Sequence, residues 1–222
     1  MFLRILLLLV FFSMSSYAQT QVKEVTTQEL LSLLPDDKFL GDVNAPVIVI
    51  EYAALTCYYC SLFHKNILPQ IKSEYIDKGK VLYVFRHFPL DYRALKSAML
   101  GRCYTRQEDY FNFIRAVFDS IDAWNYSNAS DLSLLQKIAA LSNLKKDTFD
   151  RCIDDKVAMD KIVNDKFLAI NKLGVEASPV FFIKLNKSKS NVEPSECKHE
   201  GYRKFDYFAD VIDALCKQAA VK

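Results

Sequence analysis

The chain has 222 residues, of which 51% are apolar and 25% charged, with a formal net charge of +2. That length suits one domain of ordinary size, or one domain carrying a sizeable insert, and the composition implies a packed globular core. The net charge is small and the lysines and arginines are dispersed, which argues against nucleic acid or an anionic membrane surface as the partner.

The first stretch, MFLRILLLLVFFSMSSYAQT, reads as a separate unit. Arg4 supplies a positive start, Ile5 to Phe12 are unbroken apolar, and Ser16 and Ala18 occupy the −3 and −1 positions of a cleavage site. This is the pattern of a secretory signal peptide over 1–18, cut after Ala18. The apolar run is well short of the ~20 residues that span a bilayer, and no cysteine follows it to take a lipid. The mature chain is thus expected to begin at Gln19 in an oxidising space, periplasmic or otherwise exported.

Residues 19–37 form a polar N-terminal extension with a short helical stretch from Thr27 to Leu34. The run Val47-Ile48-Val49-Ile50 is continuous and β-branched, as in a strand buried on both faces. After it, Leu62, Phe63, Ile67, Leu68, Ile71, Tyr75 and Ile76 recur at helical steps, with Pro69 expected to kink the helix. A second strand is expected over 80–86, so the chain opens β-α-β, the signature of a parallel pair. Helical patterns then dominate: 91–105, 107–122, 131–141 and 146–173, the last expected to break. ASPVFFIKL returns to strand, CKHEGYRKF offers a strand to pair with it, and Asp206–Lys217 closes the chain as a helix. The expected architecture is α/β: a domain made of 38–90 and 174–222, interrupted by an all-helical insert over 91–173.

Cys57 and Cys60 frame two tyrosines at the junction of the buried strand and the first long helix. With Thr56 as the helix cap, Cys57 would sit in the first turn, where unpaired N–H groups and the helix dipole favour a thiolate. Cys60, one turn on, would be buried and placed to resolve a mixed disulfide. A purely structural bond here would close too short a loop to stabilise much. The histidines, His64, His87 and His199, form no ligand spacing with the cysteines, so neither a metal nor a cofactor is expected.

Together, APVIVIEYAALTCYYCSLFHKNILPQIKSEY, VLYVFRHFPL, the helical block and GVEASPVFFI resemble the DsbA family of periplasmic disulfide oxidoreductases, over roughly residues 38–217. The resemblance implies a thioredoxin-like fold with a helical insertion. It implies that Cys57 is the exposed nucleophile and Cys60 the buried resolving cysteine. It also implies that Ser178–Pro179 is a cis bond facing them, although the residues alone favour trans. Glu51, at the end of an apolar strand where a lone carboxylate is costly, matches a buried acid that exchanges a proton with Cys60; a partly solvated strand-end glutamate is the competing reading. Tyr58-Tyr59 departs from the Pro-His found in many strongly oxidising members and supplies no cation, so a less acidic Cys57 is expected.

Four cysteines remain. They allow three connectivities, of which pairing within each local segment, Cys103 with Cys152 and Cys197 with Cys216, is the least demanding; reduced, buried thiols are the competing reading, and a second disulfide in the helical domain of some DsbA relatives fits the first pair. His64, one turn past Cys60, reads as a surface helix residue, with a catalytic role as the competing reading. The expected function is oxidation of unfolded or newly exported cysteine-containing proteins by a monomer, which a membrane quinone-linked protein re-oxidises. The alternatives are an isomerase or reductase using the same site, and a thiol-based metal-binding or interaction protein.

Overall fold

The computed structural model describes residues 25–126, 130–186 and 191–221; the expected signal peptide over 1–18 lies outside them. In chain order the elements are α1 (Thr27–Leu30), β1 (Lys38–Leu40), β2 (Val47–Ala53), α2 (Tyr58–Asn66), α3 (Leu68–Ile71), a π-helical turn (Lys72–Ile76) and β3 (Val81–His87). Then come α4 (Tyr92–Arg102), α5 (Gln107–Asp119), α6 (Ile121–Tyr126), α7 (Ser133–Leu141), α8 (Lys146–Ile153) and α9 (Lys156–Leu173). The chain finishes with β4 (Val180–Leu185), α10 (Pro194–Cys197), β5 (Lys198–Glu200) and α11 (Phe205–Ala220).

The sheet runs β1-β3-β2-β4-β5. β2 and β3 are parallel, whereas β1, β4 and β5 pair antiparallel to their neighbours. All seven residues of the central β2 are buried, and they alternate between two cores. Val47 and Val49 face Tyr83, Phe85, Phe181 and Ile183 together with Phe63 of α2 and Phe208 of α11. Ile48, Ile50 and Tyr52 face Leu82, Val84 and Phe182 together with Ala169 and Leu173 of α9. A strand covered on both sides has no polar face to show, which is why its sequence reads as one apolar run. Each fully buried Val or Ile contributes about 1.5–3 kcal/mol relative to exposure.

The six helices α4–α9 all lie between β3 and β4, the helical insertion that the sequence implies. The expected 146–173 helix is two: α8 ends at Ile153, and Asp155 caps α9 by accepting the amides of Val157 and Ala158. Pro69 does more than kink its helix. α2 stops at Asn66 and α3 starts with Pro69 in its first turn, where a missing N–H costs nothing. Three-residue β1 was not distinguished in the sequence as a strand.

Candidate active site

β2 ends at Ala53, and residues 54–57 carry the chain off the sheet into α2. Cys57 is itself the N-cap: its backbone is extended (φ −83°, ψ 118°) and its Sγ accepts the Cys60 N–H at 3.2 Å. The cap is therefore not Thr56, as the sequence suggested. Thr56 lies one residue earlier, and its Oγ1 donates to Asp91 Oδ2 at 2.5 Å. The shift sharpens the electrostatics, because the sulfur occupies the place of a capping oxygen at the positive end of the helix.

Gly174 ends α9 in the left-handed region (φ 64°), and the chain then turns through 175–179 to β4. Val180 pairs with Tyr52, so this loop arrives beside the end of β2 from which Cys57 departs. The Ser178–Pro179 bond is cis. The Ser178 carbonyl oxygen lies 3.4 Å from Cys57 Sγ and accepts its thiol hydrogen. Ser178 Oγ is buried and makes no hydrogen bond among the described residues, yet its hydroxyl is placed to stabilise either sulfur as a thiolate.

The surroundings act unequally on the two cysteines. As a thiolate, Cys57 is stabilised first by the Cys60 thiol, then by the Ser178 hydroxyl and by the Cys60 and Tyr59 backbone; burial opposes them, and the balance brings its pKa down to about 6. Cys60 is fully buried. Burial above all, then the hydrogen bond to Cys57 and the charges of Cys57 and Glu51, push its pKa well up. Both are free thiols here, so the geometry is that of the dithiol form. At neutral pH one sulfur is nucleophilic and partly exposed while its neighbour holds a proton in the interior. Tyr58 and Tyr59 are 54% and 58% exposed, presenting two apolar rings at the mouth of the site.

Glu51 lies beneath, fully buried on β2. Its Oε2 accepts the Tyr83 O–H and sits 3.0 Å from His64 Nε2, while Oε1 has no hydrogen-bond partner among the described residues. The expectation that His64 is a surface residue is corrected: it is buried, with its ring centroid 4.4 Å from that of Phe118 and 5.5 Å from that of Phe85. The signal was present in the spacing. Cys60, Phe63, His64 and, at the C-cap, Ile67 occupy i, i+3, i+4 and i+7, one face of α2, and that face is the one turned to the sheet. Tyr83 was read only as part of a strand.

Cys103, at the end of α4, is bonded to Cys152 of α8, a separation of 49 residues. The expected Cys197–Cys216 pair is absent; both are free thiols. Cys197 packs into the core on the α9 side of the sheet, and Cys216 packs against the core on the α2 side, so the sheet stands between them. Among the described residues, no group of three or more His, Cys, Asp or Glu is placed to hold a metal ion.

A sequence model of the family described as Thioredoxin matches residues 34–199. The crystal structure of alpha-DsbA1 from Wolbachia pipientis superposes with a TM-score of 0.85 at 65% identity, covering 88% of this chain and 98% of that one. A putative protein-disulfide oxidoreductase of Rickettsia felis is 33% identical over 149 residues, 67% of this chain and 53% of that protein. Disulfide bond formation protein D of Bacillus subtilis is 23% identical over 162 residues, 72% of each chain. The chain thus spans about half the length of the Rickettsia relatives it matches.

Proposed function

Because the chain belongs to the DsbA family of thioredoxin-fold proteins, we propose that it is a thiol:disulfide oxidoreductase whose Cys57–Cys60 disulfide is passed to other proteins. The observation that carries this reading is the asymmetry of the pair: Cys57 Sγ caps α2 and faces the Ser178–Pro179 loop, whereas Cys60 is buried behind it. In the oxidised form a substrate thiolate attacks Cys57 Sγ. The Cys57–Cys60 bond breaks, its electron pair leaves on Cys60, and a proton from Glu51 neutralises that sulfur. A second substrate thiolate then attacks the mixed disulfide, forming the substrate disulfide and releasing Cys57 as a thiolate. Two electrons pass from substrate to enzyme. The low pKa of Cys57 favours that release, because a more acidic thiol is a better leaving group.

Ser178 and Pro179 hold an extended substrate chain against the site, and the exposed rings of Tyr58 and Tyr59 add apolar contact for unfolded chains. The substrates are newly exported cysteine-containing proteins, reached by way of a signal peptide over 1–18 into the periplasm. A membrane quinone-linked protein re-oxidises the pair, the protein works as a monomer, and the helices over 91–173 form a domain distinct from the thioredoxin-like portion. An oxidised sample mixed with a reduced two-cysteine peptide tests the reading: the peptide is expected to gain a disulfide as Cys57 and Cys60 lose theirs, stoichiometrically. A Cys57→Ala protein that oxidised the peptide at the normal rate would refute it. Efficient refolding of scrambled ribonuclease, coupled with poor oxidation of the reduced peptide, would favour isomerase use of the same site.

A further inference from the structure

His64 occupies a place that the redox reading leaves unexplained. It is a buried imidazole on α2, one turn beyond Cys60, and it touches the carboxylate of Glu51 rather than either sulfur. The two Glu51 oxygens are used differently. Oε2 is held by Tyr83 from β3 and by His64 from α2, with the Tyr83 hydroxyl 3.4 Å from the same His64 nitrogen. Oε1 is buried and unpartnered among the described residues. A carboxylate oxygen buried without a hydrogen-bond partner is costly.

The titratable groups facing Glu51 are Cys60 and His64 from α2, Tyr83 from β3 and, at longer range, Tyr110 from α5. Arg86 on β3 points to the opposite side of the sheet, where it binds Asp37. Among the described residues, the ring nitrogen within hydrogen-bond reach of Glu51 is therefore that of His64. The rings of Phe63, Phe85 and Phe118 around the imidazole leave it little room to turn.

We infer that His64 is a positioning residue for proton exchange. With its hydrogen on Nε2 it pins Glu51 Oε2, leaving Oε1 as the one oxygen that gives a proton to Cys60 when the Cys57–Cys60 bond breaks. The carboxylate formed in that step is then stabilised by two donors, His64 and Tyr83, and the reverse transfer occurs when the dithiol is re-oxidised. This inference rests on the redox reading of Cys57 and Cys60.

The test is the equilibrium of the Cys57–Cys60 pair with glutathione, followed from pH 5 to 9. His64→Phe is expected to move the pH at which the potential changes slope by about one unit, the equivalent of one hydrogen bond to a charged group. His64→Gln, which keeps an N–H near the same place, is expected to restore much of the original profile. Tyr83→Phe removes the other donor to the same oxygen and provides an independent arm, with a shift in the same direction. In a Glu51→Gln background, His64→Phe is expected to add no further shift, because its effect passes through Glu51. An unchanged profile in His64→Phe would overturn the inference whatever Tyr83→Phe does, as would equal shifts in the Glu51→Gln and wild-type backgrounds. A wild-type protein that failed to equilibrate with glutathione at any pH would instead remove the redox reading itself.

Discussion

Arg86 grips Asp37 with two parallel hydrogen bonds, Nε to Oδ1 at 2.9 Å and Nη2 to Oδ2 at 2.7 Å, and both side chains are almost fully buried. The remaining guanidinium hydrogens reach the Leu30 and Ser32 carbonyls and the Tyr52 hydroxyl. One side chain of β3 thus ties the segment after α1 to the sheet. Asp37→Ala removes the charge that compensates a buried guanidinium, and the expected loss is about 3–5 kcal/mol. Urea denaturation measures it. A loss within experimental error of zero would mean that Arg86 finds another partner or water.

The Cys57 thiol predicts two pH dependences. Alkylation of the reduced protein at Cys57 is expected to rise with a midpoint near pH 6, tracking the thiolate. Stability of the reduced protein follows from the sign of the shift. The folded pKa lies below the unfolded value of a cysteine, so the contribution is fully present above the unfolded value, near pH 9, and is lost as pH falls through about 6. Cys60 is shifted the other way and costs stability only above its unfolded value, outside that window. Between pH 6 and 9 the reduced form should therefore gain stability relative to a Cys57→Ser protein, as read by paired denaturant titrations. A midpoint near ~3.5 in the alkylation profile, the low end of the reactive range, would contradict the site geometry described above.

What was legible in the residues follows from what local pattern encodes. The buried β2 run, the Cys57–Cys60 spacing at a strand-to-helix junction and the helical block all depend on neighbours within a turn or two of chain. What was misread depends on which side of the sheet a residue faces. His64 was placed on the surface of its helix, although its spacing from Cys60 and Phe63 puts it on the buried stripe. Cys197 and Cys216 were paired because they are near in sequence, but β5 and the turn into α11 separate them across the sheet. The assignment of the cap to Thr56 rather than Cys57 was a one-residue error, since both side chains offer an acceptor at a plausible boundary.

The Cys103–Cys152 bond closes a loop spanning a sequence separation of 49 between α4 and α8. Opening it with Cys103→Ala and Cys152→Ala restores chain entropy to the unfolded state, and the expected cost is roughly 2–4 kcal/mol. Both positions are remote in sequence from Cys57, and neither contributes to the hydrogen bonds on its sulfur. The alkylation midpoint of Cys57 is accordingly expected to stay in place while the melting temperature falls. A displaced midpoint would mean that the helical insertion feeds directly into the electrostatics of the site.

Asp91 joins those two regions. Its Oδ1 caps α4 by accepting the Ala94 N–H at 2.9 Å, and its Oδ2 accepts the Thr56 hydroxyl, one residue before Cys57. One carboxylate therefore fixes both the first turn of the helical insertion and the entry into α2. Asp91→Ala is expected to cost about 1 kcal/mol through the lost cap, and also to loosen Thr56. Asp91→Asn keeps the acceptor for Ala94 while weakening the charged bond to Thr56, which separates the two effects. If the Thr56 contact holds Cys57 in its capping geometry, Asp91→Asn should leave the melting temperature nearly unchanged yet raise the alkylation midpoint of Cys57 above about 6. Thr56→Val, which removes the hydroxyl from the other side, should reproduce that rise. A normal midpoint in both variants would show that α2 alone, through the Cys60 N–H, sets the position of the sulfur.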